Sequence, residues 1–134
     1  MRIYIAASWK HQHAVEMLTE RLEDMGHEIL SWLREGRPEE AFLSKRELAG
    51  FINSADGRRI FNFCVNSATA ADLLIYLGPS GCDAWAEVGA AHGSNVPIFG
   101  LLAKNEDVGL MRHMVDEWFH SVQDLLKAVV KRTA

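Results

Sequence analysis

At 134 residues the chain has the length of one domain with a full hydrophobic core, and a single domain over 1–134 is expected. Hydrophobic residues at 49% and charged residues at 24% are those of a globular protein, and the longest apolar runs are too short to cross a bilayer. A formal net charge of −4 argues against a nucleic acid polymer, which needs a basic stripe, and leaves small molecules or proteins as the expected partners.

Met1 runs directly into the strand-like "RIYIAAS" without the basic segment, apolar stretch and cleavage site of a secretory signal, so the expected location is the cytoplasm, with no membrane partner. Within "RIYIAAS", the run "IYIAAS" reads as a buried strand that ends in a turn of small residues. Val15, Leu18, Leu22 and Met25 then recur at three- and four-residue steps, one apolar helix stripe that Gly26 stops before a second strand, "HEILSW". Strand, helix and strand in so few residues make a βαβ unit, hence a parallel sheet with a right-handed crossover.

Residues 33–56 are the least regular: "REGRPEE" is a charged turn, "AFLSKRELAGFI" a short helix, and the whole an excursion that is a candidate lid. Ile60, Cys64 and Ala68 lie on one helix face before "DLLIYLG", residues 72–78, the clearest buried strand. A helix over 83–93 and a fourth strand, "VPIFGLLA" at 96–103, follow. "GLMRHM" predicts a short helix, "VDEWF" a weak edge strand, and Val122, Leu125, Leu126, Val129 and Val130 a final amphipathic helix. The alternation predicts an α/β doubly wound, Rossmann-like parallel sheet of four to five strands flanked by helices, with ligands at the carboxyl ends of the strands. The functional loops are then those after strands one, three and four.

The loop after the first strand, "SWKHQH", carries neither a dinucleotide nor a P-loop glycine signature. Ser8 at a helix start can bind a phosphate or sugar oxygen and Trp9 can stack on a base; the plainer alternatives are an N-cap serine and a half-buried indole. His11 and His13, two apart, do not face one another on a helix, and Cys64 and Cys82 form no C-x-x-C pair, so no metal site is expected. In "SGCDAWAEVGAAHG", Ser80 and Asp83 fit a capping box, but Glu87 falls four residues further on the same face, where like charges destabilise a helix by a few tenths of a kcal/mol. Small residues surround Glu87, so burial and Asp83 tend to raise its pKa while the helix N-terminus favours the ionised form. A carboxyl so placed can act as nucleophile or base, as in glycosidic cleavage; the alternative is a surface glutamate on an exposed helix.

The segments "RIYIAAS", "ADLLIYLGPSG" and "AWAEVGAAHGSNVPIFGL" together resemble the nucleoside 2-deoxyribosyltransferase-like superfamily, which includes the deoxynucleoside monophosphate N-glycosidases. The resemblance covers most of the chain outside 33–56. It implies a flavodoxin-like fold, Glu87 as the nucleophile that forms a sugar–enzyme intermediate, and Ser8, Ser80 and Gly81, with Gly78 before them, as the sugar- or phosphate-holding loops. It also implies that a neighbouring subunit completes the pocket, with Arg112 and His113 as the candidates in that region, and that no cofactor is needed.

Two departures stand out. The family acid that assists the leaving base, eight residues before the aspartate opening the third strand, is Cys64 here, and Asp83 stands where a small residue is common. Asp83 is then the candidate for an acid or orienting role. The expected activity is cleavage or transfer of the N-glycosidic bond of a nucleoside or nucleotide by a homodimer, with Trp118, Phe119 and the alanine-rich helix as contact surface; the alternative is an inactive nucleotide-binding or sensing module on the same fold.

Overall fold

The computed structural model describes residues 1–36 and 44–134. Residues 37–43, within the expected lid, lie outside the described residues. The first strand, β1 (Arg2–Ala6), is buried after Arg2 because its side chains are apolar on both faces, the condition of a parallel strand covered by helices on either side. Helix α1 (Gln12–Asp24) turns Val15, Leu18 and Leu22 inward, and the chain leaves it through Gly26, whose φ of 92° suits a residue without Cβ.

The second strand is shorter than expected. Only β2 (Glu28–Ile29) pairs as strand, although Leu30 N–H still bonds Ile3 O, and Trp32 opens a 3-10 turn (Trp32–Glu35). The reason lies in the indole: Trp32 is 4% exposed, and its Nε1–H reaches Ile5 O at 2.8 Å across the end of β1, a partner that a buried indole requires.

Helix α2 (Lys45–Ile52) is capped by Ser44, and helix α3 (Ala55–Ala70) by Ser54, whose hydroxyl accepts from Gly57 N–H. The two helices meet so closely that a Cβ on Gly57 would stand 2.2 Å from Phe51 O. Strand β3 (Leu73–Leu77) is buried along its whole length; α4 (Cys82–Gly93), β4 (Ile98–Leu101), a 3-10 turn (Leu110–Met114), β5 (Glu117–Phe119) and α5 (Val122–Thr133) complete the chain.

Among the described residues, five parallel strands run in the order β2-β1-β3-β4-β5. Winding reverses between β1 and β3, so the crevice at their carboxyl ends is the switch point of a doubly wound sheet. The register sets Tyr4 beside Leu74 and Ala6 beside Tyr76, which puts both tyrosines on one face. Helices α3 and α4 pack on that face; a right-handed crossover carries α1 to the other, where the terminal α5 lies against β4 and β5. Tyr76 lies tilted against Trp85 at 4.7 Å and meets Trp118 edge-on at 5.8 Å, over the bare backbone of Gly100.

That packing corrects one expectation. Phe119 is 8% exposed and lies against Phe99 at 5.2 Å, so it is spent inside the protomer rather than offered to a neighbour, and Trp118 is occupied by Tyr76 and Trp85. The apolar surface near α4 is instead Leu110 and Met111, 76% and 58% exposed.

Candidate functional site

Glu87 sits on the second turn of α4, half-buried, and its Oε2 accepts the hydroxyl hydrogen of Tyr4 from β1. The thiol of Cys64, one face of α3 away, lies against both groups. Thus three elements far apart in sequence deliver a carboxyl, a phenol and a thiol to one spot beside the switch point. Burial raises the Glu87 pKa from its usual 4.5 to about 7; the hydrogen bonds from Tyr4 and Cys64 pull against that rise, and the charge of Asp83 adds to it. Burial likewise holds the Tyr4 hydroxyl well above its ordinary value, with the Glu87 charge reinforcing it. Cys64 is pushed up to about 12, first by burial, with the hydrogen bond to Tyr4 opposing and Glu87 adding to the rise. At neutral pH the cluster therefore contains a carboxyl poised between its two forms and two weak acids that keep their protons.

Asp83 shares the helix face with Glu87 but is exposed, and its hydrogen-bond partner is the neighbouring Cys82 thiol at 3.8 Å. The expected capping box does not form. Gly81 is the N-cap of α4, and among the described residues no side chain caps that terminus, because the Ser80 hydroxyl is turned back to donate to Leu77 O at 2.7 Å.

Ser80 has a different task. Its Oγ accepts Ser8 N–H at 2.9 Å, and its own N–H donates to the Tyr76 hydroxyl oxygen at 3.1 Å. Tyr76 in turn donates to Glu106 Oε2 at 2.6 Å, while Glu106 Oε1 accepts Ala103 N–H at 3.0 Å. The loops after β1, β3 and β4 are thereby tied together. Gly78 makes the knot possible, since a Cβ there would stand 1.9 Å from the Glu106 carboxylate. Burial, followed by the hydrogen bond to Glu106, raises the Tyr76 pKa to about 12, so the phenol remains a donor.

Ser8 Oγ accepts Lys10 N–H at 3.3 Å and caps the 3-10 turn Trp9–His11, so the capping use of this serine is present. Trp9 is half-buried, its ring 6.2 Å from both Trp32 and Phe51, and forms an aromatic group at the carboxyl end of β1 to which α2 contributes. Arg112 and His113 are exposed on their 3-10 turn, which touches α4 through Met114 beside Gly89; among the described residues neither joins the Glu87 cluster. A separate groove between β5 and α5, lined by Phe99, Phe119, Asp124 and Lys127, lies apart from all of these groups.

No protein-family model matches the sequence, and no curated protein does. Solved structures do match. A 2-deoxyribosyltransferase from the psychrotolerant bacterium Bacillus psychrosaccharolyticus superposes with a TM-score of 0.68 at 19% identity, over 93% of this chain and 90% of that one. The Clostridium botulinum CMP N-glycosidase BcmB gives 0.62 at 16% identity, over 96% and 98%. A conserved protein from Enterococcus faecalis V583 gives 0.74 at 16%, over 98% of both chains. The fold is that of a 2-deoxyribosyltransferase.

Against this deoxyribosyltransferase-type fold, sequence reasoning missed Tyr4, Tyr76, Trp32, Phe51 and Glu106. Two of them left a signal: Tyr4 and Tyr76 are the tyrosines of otherwise aliphatic buried strands, and a buried phenol needs a partner for its hydroxyl. Glu106 lies in an irregular loop with no periodicity to mark it.

Proposed function

We propose that this protein belongs with the nucleoside 2-deoxyribosyltransferase-like enzymes and cleaves or transfers the N-glycosidic bond of a nucleoside or nucleotide, with Glu87 as nucleophile. The observation that carries the reading is the placement of the Glu87 carboxyl, held by Tyr4 and flanked by Cys64, beside the switch point of the sheet. A carboxyl with a pKa near the working pH is available as the anion that attacks an anomeric carbon, and the phenol hydrogen bond fixes which lone pair faces the sugar. The covalent sugar ester is then opened by water in hydrolysis or by a second base in transfer.

In this reading Ser8, Ser80, Gly81 and Gly78 shape the rim that receives the sugar or its phosphate, Trp9 with Phe51 stacks on the base, and Asp83 orients a hydroxyl from the rim. A second copy, meeting the first through α4 and the turn carrying Leu110 to Met114, brings Arg112 and His113 toward the partner's cleft. The solution mass at micromolar concentration tests that arrangement, and a strictly monomeric protein removes it.

The replacement of the expected acid by Cys64 favours a second reading, an inactive module that binds nucleotides. Incubation with a panel of nucleosides and nucleotides, followed by mass spectrometry for free base and for a sugar adduct on Glu87, separates the two. Base release with an adduct supports the enzyme; a thermal shift with no release supports the binding module.

A further inference from the structure

We propose that the substrates of this site are N-glycosides whose leaving base bears a formal positive charge, pyridinium or N7-alkylpurinium nucleosides, rather than ordinary uncharged nucleosides. This rests on Glu87 being the nucleophile, as argued above. Its starting point is the company Glu87 keeps: among the described residues, the groups that hydrogen-bond its carboxyl are the Tyr4 phenol and the Cys64 thiol, while Asp83 acts on it through its charge alone. A neutral purine or pyrimidine departs as an anion unless a proton reaches it in the same step, and proton donation of this kind is worth about 10²–10⁴ in rate. Glu87 cannot attack the sugar and protonate the base at once. The third group at this spot is the Cys64 thiol of α3, and burial holds both that thiol and the Tyr4 hydroxyl in their protonated forms.

A cationic base removes the requirement. As Glu87 Oε bonds to the anomeric carbon, the carbon–nitrogen bond breaks, its electron pair returns to the ring nitrogen, and the base leaves uncharged with no proton transferred. Water then attacks the ester, giving free sugar, the Glu87 carboxylate and a proton released to solvent. Two further features suit a cation. Asp83 and Glu87 put negative charge on one face of α4, and the half-buried rings of Trp9 and Phe51 meet near the end of β1, where an aromatic face attracts positive charge.

The test compares nicotinamide riboside and 7-methylguanosine with deoxyadenosine, deoxycytidine and inosine, following base release by chromatography, together with a series of substituted pyridinium ribosides of graded leaving-group basicity. The expected result is a kcat/KM for the cationic substrates higher by ~10² or more, a steep dependence on leaving-group basicity, and a rate that rises with pH and then stays level. Uncharged nucleosides cleaved as well or better, or a rate that falls again at high pH, would overturn the proposal while leaving Glu87 as nucleophile. Absence of base release and of a sugar adduct with every substrate would overturn the nucleophile assignment itself, and this proposal with it.

Discussion

The hydroxyl of Tyr4 and the carboxylate of Glu87, 83 positions apart in the chain, share one hydrogen bond, and it joins β1 to the helix that follows its neighbour β3. A carboxyl in this position feels two opposed influences. Burial drives it toward the neutral acid, and the phenol hydrogen bond favours the anion.

Substituting Tyr4→Phe removes the second influence and leaves the first. The Glu87 pKa then rises further, and the ascending limb of the activity profile moves to higher pH by several tenths of a unit to about one unit. A profile of kcat/KM against pH for wild type and variant checks this; identical limbs would mean that the hydrogen bond does not tune the carboxyl.

Glu87→Gln keeps the shape and the acceptor for Tyr4 but removes the nucleophilic charge, so turnover falls by about 10³ or more while ligand binding survives. Stability moves the other way. The folded carboxyl titrates near 7 and the unfolded one near 4.5, so the folded state binds the proton more tightly; the contribution of Glu87 is most favourable below about 4.5 and is lost as pH rises through 7. The Gln variant escapes that loss. Its melting temperature exceeds that of wild type at pH 8, by an amount on the order of 1–3 kcal/mol in stability, and the gap closes toward pH 4.5. Melting curves at the two pH values decide the matter.

Cys64→Asp places a second carboxyl against Tyr4 and Glu87. It supplies a proton donor for an uncharged leaving base, so cleavage of uncharged nucleosides rises about tenfold or more relative to cationic ones. Competition between the two substrate types in one reaction reads the ratio directly, and an unchanged ratio would place the thiol out of reach of the base.

Gly57→Ala drives a methyl group into the carbonyls of Phe51 and Ile52, 2.2 and 2.9 Å from the new Cβ. Backbone cannot swing aside as a side chain can, so α2 shifts and carries Phe51 away from Trp9. The expected outcome is a loss of roughly 1–3 kcal/mol in urea denaturation and a several-fold rise in KM with kcat less affected. An unaltered KM would separate Phe51 from base binding.

The sheet was legible because burial on both faces writes continuous apolar strands, as in "DLLIYLG", and because Val15, Leu18 and Leu22 keep helical spacing. Glu87 was legible for a related reason: a carboxylate four residues from another, among alanines and glycines, contradicts its surroundings. Tyr4 was not, since which residue meets Glu87 depends on the register of β1 on β3 and on the packing of α4, neither of which local pattern contains. The shortened β2 was hidden likewise, because Ile5 O, the partner that draws Trp32 out of the strand, is remote in sequence. The bond that Ser80 makes was hidden too, because local pattern does not decide between Leu77 O and the helix terminus as the partner of its hydroxyl.

Because Tyr4, Cys64 and Glu87 ride on β1, α3 and α4, none of them can meet another until the centre of the sheet has assembled. The tilted contact of Trp9 with Phe51 rests instead on α2, which buries no side chain completely. Rising denaturant should therefore dissolve the two halves of the site in sequence, with the aromatic contact opening as a local event and the carboxyl cluster surviving to the cooperative transition. In an intermediate concentration range the molecule would retain its chemistry while losing its grip on the base.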